Sequence, residues 1–451
     1  MSEKKIKIFE GDCLKVMKKM EDCSYTSILS DVPYGLSFMG KKWDYDVPSV
    51  EVFEEMLRVT QHGGYLFCFG GSRTFHRIAC NIEDAGWVLK DTIMWLYGSG
   101  FPKSHNISKA IDKKYGLEIE KVSEKKTSGK ERNSMASKFE GEYYETKSNH
   151  NLAKDFEGYG TALKPAYEPI IIAHKPCEGS YVDNVEKHGI AGLNIEDCRV
   201  GNADTRSKTS LSALGQNSGW NNHKNRVVMA GSSNGRFPAN VITDGSEEVC
   251  NVMDEQSGIS KSSGGRIGNA QGVYANQGRT GWSTDHKKGQ SGLGDVGGAS
   301  RFFYCAKASQ KEKNEGLERL QPQQRDSSRN EDQPSMNGGK GNPYNRGAKK
   351  VKNPHPTVKP IALMEYLAKM LTQPNGRTKI LDPYMGSGTT LIACKKLGNI
   401  ECHGIEMNLE YVKVAKARLG EDLSEYDVFD NTKENKKTNK QMTIWDILNE
   451  Q

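Results

Sequence analysis

The sequence predicts an α/β fold: one doubly wound, mostly parallel sheet assembled from both chain ends around an inserted irregular region. Three observations predict it. The first hundred residues alternate strand-like and helix-like runs, and the same alternation returns after residue 360. The two or three strands of the far end are too few to close a sheet, so the economical solution joins the two ends. The middle differs in composition: of 451 residues, 201–350 hold 23 of the 47 glycines, with 21 basic and 14 acidic side chains. The chain's net +6 is therefore about +7 on that region and near neutrality elsewhere.

In chain order, IKIFEGD reads as a strand, CLKVMKKME as a short helix and SYTSILS as a buried strand running into DVPYG. Val52, Phe53, Met56 and Leu57 share one face of a helix, as a 3.6-residue period requires. HGGYLFCFGG is a strand bounded by glycines, RTFHRIACNIEDAG a helix and WVLKDTIMWLYG a strand. At the far end PIALMEYLAKMLTQ is a helix opened by proline, a first-turn residue. TKILDPYMGSGTT is a strand and tight turn, followed by helix, strand and helix through LEYVKVAKARLG. Between the ends, 121–154 reads as a polar loop, and strand character returns in EPIIIAHKP and GLNIEDCRV. Residues 201–300 read as irregular, RFFYCAKAS as an isolated strand, and NTKENKKTNK as a linker before the apolar island QMTIWDIL.

Several classes drop out. No apolar run approaches the ~18–20 residues that span a bilayer, and MSEKKIKIFEGD lacks the apolar stretch of a signal peptide. Ten scattered cysteines without a C-x-x-C predict free thiols rather than disulfides or structural zinc, hence a reduced, cytoplasmic setting.

Chemistry concentrates at strand ends. Asp382 closes a strand, and Gly386 and Gly388 follow before a helix, a turn suited to close approach of a ligand. Glu406 ends the next strand, where a carboxylate can take two ribose hydroxyls. The missing G-K-[ST] argues against a nucleoside triphosphate. Asp31, Pro33 and Tyr34 end another strand and would face the same crevice.

The pair of motifs resembles the β group of DNA amino-methyltransferases, with signatures [DNS]-[PI]-P-[YFW] for the base and F-x-G-x-G for S-adenosylmethionine. Here they stand as DVPY (31–34) and YMGSG (384–388). HPTVKP (355–360) is similar to the motif preceding the cofactor helix, and GDCL (11–14) to the strand end that contacts the cofactor's adenine. Val32 and Tyr384 depart from the pattern, replacing Pro or Ile and Phe with residues of similar shape.

The resemblance implies a Rossmann-like methyltransferase sheet with an inserted target-recognition region. It implies a catalytic half at 1–105, an inserted DNA-binding region at 106–350, a cofactor half at 351–425, and a linker with C-terminal peptide at 426–451. Asp31, Pro33 and Tyr34 would be catalytic. Asp12, Thr357, Lys359, Pro360, Asp382, Pro383, Tyr384, Gly386, Gly388, Thr389 and Glu406 would bind S-adenosylmethionine, and no metal is implied. Lys103, His105, Arg236, Arg266, Arg279 and Arg301 would contact DNA. The target would be N6 of adenine in double-stranded DNA, flipped from the helix, with N4 of cytosine the alternative. A non-catalytic DNA-binding module, or a methyltransferase for RNA or protein, remains a rival class. A C5-cytosine enzyme needs a Pro-Cys nucleophile, and the one candidate, KPC at 175–177, lies away from any strand-end turn. Gln441 to Trp445 resembles a peptide that docks on the bacterial sliding clamp. A bacterial or phage-encoded enzyme, with a restriction enzyme as partner, completes the expectation.

Overall fold

The computed structural model describes residues 6–36, 44–98, 100, 104–117, 120–126, 142–201, 235–261, 296–306, 312, 314–318, 322–324, 350–355, 357–420 and 428–430. A ten-stranded sheet organises them. Its strands, in chain order, are β1 (Ile6–Glu10), β2 (Tyr25–Ser30), β3 (Thr60–Phe69), β4 (Val88–Leu96), β5 (Tyr167–His174), β6 (Val241–Thr243), β7 (Tyr304–Cys305), β8 (Lys379–Asp382), β9 (Glu401–Glu406) and β10 (Val428–Asp430). Across the sheet the order is β7-β6-β4-β5-β3-β2-β8-β9-β1-β10. The two chain ends interleave: β2 pairs with β8, Ile28 opposite Leu381, and β1 lies between β9 and β10.

Helices cover both faces. On one lie α1 (Cys13–Met17), α2 (Val50–Val59) and α3 (Phe75–Asp84), whose Met17, Phe53, Met56, Ile78 and Ile82 meet Ile28 and Leu66 of the sheet. The predicted stripe of α2 holds for Val52, Phe53 and Met56, which are buried. After β4 come α4 (Ile107–Lys114) and α5 (Asn151–Asp155), then α6 (Tyr181–His188) and α7 (Glu247–Ser257). The opposite face is covered by α8 (Ile361–Met370), α9 (Thr389–Leu397) and α10 (Leu409–Leu419), packed on Ile8, Leu29, Phe67 and Ile380. Each fully buried aliphatic or aromatic side chain contributes about 1.5–3 kcal/mol, so the β1–β3 and β8–β9 centre is the stable platform. Among the described residues no helix is long and apolar enough to cross a membrane.

The middle of the chain departs from expectation in five places. First, it contributes β5, β6 and β7 to the main sheet, so the sheet is not made by the chain ends alone. Ile170, Ile171 and Ile172 are buried on both faces of β5, and such a run needs cover on both sides, which a surface insertion cannot supply. Second, β5 runs antiparallel to both β3 and β4, the one reversed strand of the ten. Third, 192–200 is not a strand. Asn194 accepts the Asp197 backbone N–H and donates to Thr372, and this local bonding favours the 3-10 turn Glu196–Cys198. Fourth, the strand expected at 301–309 is not isolated: among its described residues, 301–306, Tyr304–Cys305 joins the sheet edge parallel to β6. Fifth, residues 121–154, read as a loop, include a hairpin of Glu120–Lys126 with Glu142–Lys147 and the helix α5. Pro360 sits at the cap of α8, one residue outside the helix.

Candidate functional site: a cofactor crevice beside a carboxylate cluster

Because β1, β2, β8 and β9 are parallel, their carboxyl ends open on one edge. Asp12, Asp31, Asp382 and Glu406 therefore converge on one cavity of about 960 Å³, near the top of the ~300–1,000 Å³ range for ligand sites. Thr357, Lys359, Pro360, Pro383, Tyr384, Gly386 and Thr389 also line it.

The turn after β8 is held from within. Asp382 is buried, and its carboxylate accepts the Ser30 hydroxyl at 2.7 Å, the Tyr384 N–H at 3.1 Å and the Thr390 hydroxyl. Burial pushes its pKa up to about 6 despite these donors. Asp382 thus ties β2, the turn and α9 together. Gly386 and Gly388 both have positive φ, +52° and +78°. A Cβ on Gly386 would lie 2.6 Å from His355 Nε2, and one on Gly388 2.9 Å from the Ala415 Cβ. Arg418 of α10 braces the turn from behind, donating to the Ser387 carbonyl at 2.7 Å and to Thr389 Oγ1 at 3.2 Å. Asp12 caps α1, accepting the Lys15 N–H at 3.1 Å.

Glu406 closes the crevice. It accepts the Gly386 N–H at 3.1 Å and the Asn408 N–H at 2.7 Å, one on each oxygen, which leaves lone pairs for hydroxyl donors. Burial pushes its pKa up to about 7. The crevice thus suits a nucleoside: a bare backbone turn for close approach, and a carboxylate for the ribose.

Beside it stands a second cluster. Lys359 Nζ donates to Asp31 Oδ1 at 2.7 Å and lies 3.1 Å from Glu168 Oε2. The Tyr34 hydroxyl lies 2.8 Å from Asp31 Oδ1 and 3.0 Å from Glu168 Oε2. Asp31 Oδ2 accepts no hydrogen bond from the described residues. The Lys359 side chain is only 7% exposed, so this is a desolvated ion pair. Although burial opposes its charge, the two carboxylates hold the Lys359 ammonium above its ordinary range. For Asp31 burial dominates, and its pKa is raised in spite of Lys359.

Sequence reasoning put Lys359 with the cofactor, whereas its ammonium sits on the carboxylate of DVPY. Sequence reasoning missed Glu168 and the aromatic walls Trp95, Tyr97 and Tyr167 that line the same cavity. A Glu opening an apolar run after Pro165-Ala-Tyr was the available signal. Of the DNA candidates, Lys103, Arg266 and Arg279 lie outside the described residues, as do Gln441 to Trp445. His105 is exposed, with its backbone N–H on Thr161. The guanidinium groups of Arg236 and Arg301 both lie over the Phe302 ring, at 4.5 and 4.4 Å from its centre. They enter at the amino-terminal ends of β6 and β7, whereas the crevice lies at the carboxyl edge of the parallel strands, and none of the three lines it.

The sheet, the glycine turn and the Asp-Val-Pro-Tyr cluster together suit a nucleoside cofactor with a hydrogen-bond-accepting carboxylate beside it. The model of the DNA methylase family matches residues 26–417, so the chain belongs to that family, the N6/N4 amino-methyltransferases of DNA, here of the β group. S-adenosylmethionine is the methyl donor the family implies, and the turn and Glu406 fit it. Shorter matches join the chain to the type II methyltransferases M.HpaI of Haemophilus parainfluenzae, 43% identical over 81 residues, and M.SmaI of Serratia marcescens, 43% identical over 65. These cover 18% and 14% of this chain, and the matched stretch spans only 25% and 21% of the relatives' own lengths. Among solved structures, the M1.HpyAVI–SAM complex is 15% identical with a TM-score of 0.36, covering 92% of this chain and 100% of its own. The cytosine-N4-specific PvuII methyltransferase is 12% identical with a TM-score of 0.40, covering 93% and 87%.

One pH dependence follows from Glu406. With its pKa raised to about 7, the carboxylate is ionised above that value and protonated below it. Hydroxyl donors favour the ionised form. S-adenosylmethionine affinity is therefore expected to fall by up to about tenfold per unit below pH ~7, and Glu406→Gln to bind weakly at every pH. Calorimetric titration across that range checks it; a flat wild-type profile would count against the assignment.

Proposed function

We propose that this protein is a site-specific DNA methyltransferase that moves a methyl group from S-adenosylmethionine to N6 of adenine in double-stranded DNA. The supporting observation is the asymmetric use of Asp31. Its Oδ1 is taken by Lys359 and Tyr34, while Oδ2 remains for a donor entering the cavity.

An exocyclic amine is a poor nucleophile because its lone pair is delocalised into the ring. Asp31 Oδ2 and the Pro33 carbonyl accept its two N–H groups, which draws the nitrogen towards sp³ geometry and frees the lone pair. When bound, S-adenosylmethionine would supply an electrophilic sulfonium methyl open to in-line attack by the amine, its sulfur leaving as the neutral thioether. Holding the partners in that geometry is the main source of rate, with effective molarities of ~10⁵–10⁸ M as the ceiling. Asp31 balances the positive charge that develops on nitrogen, and Oδ2 then takes the proton the amine sheds. Its raised pKa suits that receipt. The base is extruded from the duplex, and stacking on Tyr34 contributes roughly 1–3 kcal/mol.

The Asp-first form of the base motif is what favours adenine. Type II relatives also support a paired restriction endonuclease as partner. Digestion of methylated plasmid DNA to nucleosides and mass spectrometry tests the reading. N6-methyladenine is expected; N4-methylcytosine would replace the target base, and no methyl on DNA would overturn the function.

A further inference from the structure

Lys359 and Glu168 lie 328 and more than 130 residues from the DVPY segment they touch. Tyr34 has a single hydroxyl hydrogen and two carboxylate acceptors, so it can serve only one at a time. Lys359 likewise sits between the two carboxylates, over the rings of Tyr34 and Phe69 at 5.3 and 4.9 Å. We propose that Lys359 and Glu168 are opposed positioning residues that set the charge of Asp31, the lysine holding it ionised and oriented, the glutamate limiting that pull. The inference rests on Asp31 as the carboxylate that receives the target amine.

Charge balance explains why two residues are needed. Two carboxylates and one ammonium leave the cluster at −1, which the cationic amine neutralises. Once the N–H bond breaks and the proton passes to Asp31 Oδ2, Lys359 and Glu168 remain a matched pair. No unpaired charge is then stranded in a desolvated site, where it would be costly. A lysine alone would hold Asp31 too acidic to take the proton. With glutamate absent, the ammonium would also lose its partner after transfer. The other groups that bear on the cluster are Asp382 of β8, Cys68 of β3, and Tyr97 just after β4, which contacts Glu168. They are the same in every variant below, so they do not alter the sign of the expected shifts.

The test is the pH dependence of single-turnover methyl transfer to unmethylated plasmid DNA, with saturating radiolabelled S-adenosylmethionine, between about pH 5.5 and 9. Lys359→Met removes the cation, so the acid limb should move to higher pH. Its loss at about pH 6 should be on the order of tenfold greater than at about pH 8.5. Lys359→Arg should restore most of the wild-type profile. Glu168→Gln should move the limb the other way, to lower pH, with a reduced plateau. Shifts of the same sign in both variants, or none, while Asp31→Asn is impaired, would overturn the inference. Full activity in Asp31→Asn would instead overturn the reading of the site beneath it.

Discussion

Asp31→Ala is expected to cut methyl transfer to DNA by about 10²–10⁴-fold, the range for removing a group that handles the transferred proton. S-adenosylmethionine affinity should stay within a few-fold of wild type. The separation follows from geometry. Asp31 ends β2 and bonds Lys359 and Tyr34, while the elements assigned to the cofactor are the turn at 384–388 and Glu406. The variant should also fold. Lys359 keeps Glu168 at 3.1 Å as a counter-ion, so truncating Asp31 strands no lone buried cation. Asp31→Asn should fall between, since an amide oxygen still accepts an N–H but carries no charge and takes no proton at neutral pH. Incorporation of a radiolabelled methyl into plasmid DNA, beside calorimetry for the cofactor, measures both quantities. Activity of Asp31→Ala within threefold of wild type would remove the mechanism.

The glycine turn should be nearly as sensitive, with the opposite split. In Gly386→Ala and Gly388→Ala the new Cβ sits on a residue with φ of +52° or +78°, a conformation that costs an L-residue roughly 1–2 kcal/mol. At 388 it also meets the Ala415 Cβ at 2.9 Å and its Cα at 3.3 Å, in α10, where a helix backbone must yield. Gly388→Ala should therefore lower the melting temperature as well as cofactor affinity. At 386 the obstacle is the His355 ring, which packs edge-on against Tyr411 at 4.6 Å and borders the cavity. Gly386→Ala should thus act mainly on binding, with an affinity loss of about tenfold or more for 1.4 kcal/mol. Thermal melts with and without S-adenosylmethionine separate the two effects. Unchanged ligand-induced stabilisation in both variants would show that the turn does not meet the cofactor.

Much of this was legible in the sequence because it is local. Asp31, Pro33 and Tyr34 follow an apolar strand directly, and Gly386 and Gly388 sit between a strand and a helix, so strand-end position alone gathers them at one edge. The motif order then separated the base end from the cofactor end. Local reading failed where neighbours in space decide. Asp382 lines the cavity as expected of a strand-end residue, but its bonds from Ser30, Tyr384 and Thr390 also make it the tie that holds the turn. Local reading also could not see that Arg236 and Arg301, named as DNA contacts, both lie over the Phe302 ring. The strand predicted at 192–200 lost to the side-chain bonds of Asn194, which compete with a ladder.

By itself, then, the sequence determined the α/β class, the joining of the two chain ends and the two turns that face the crevice. Periodicity and strand-end position are carried by adjacent residues, and need no knowledge of pairing. Only the tertiary structure decided the direction of β5 and with it the make-up of the carboxylate cluster. In an antiparallel strand Glu168 lies opposite Trp95, at the edge where the parallel strands end. A parallel β5 would have carried it to the far side of the sheet, about 3.3 Å further for each residue. The ammonium of Lys359 reaches Asp31 for the same kind of reason, since β2 and β8 pair across the whole length of the insertion. Sequence spacing cannot encode that contact, because strand order and direction are set by which apolar faces find cover.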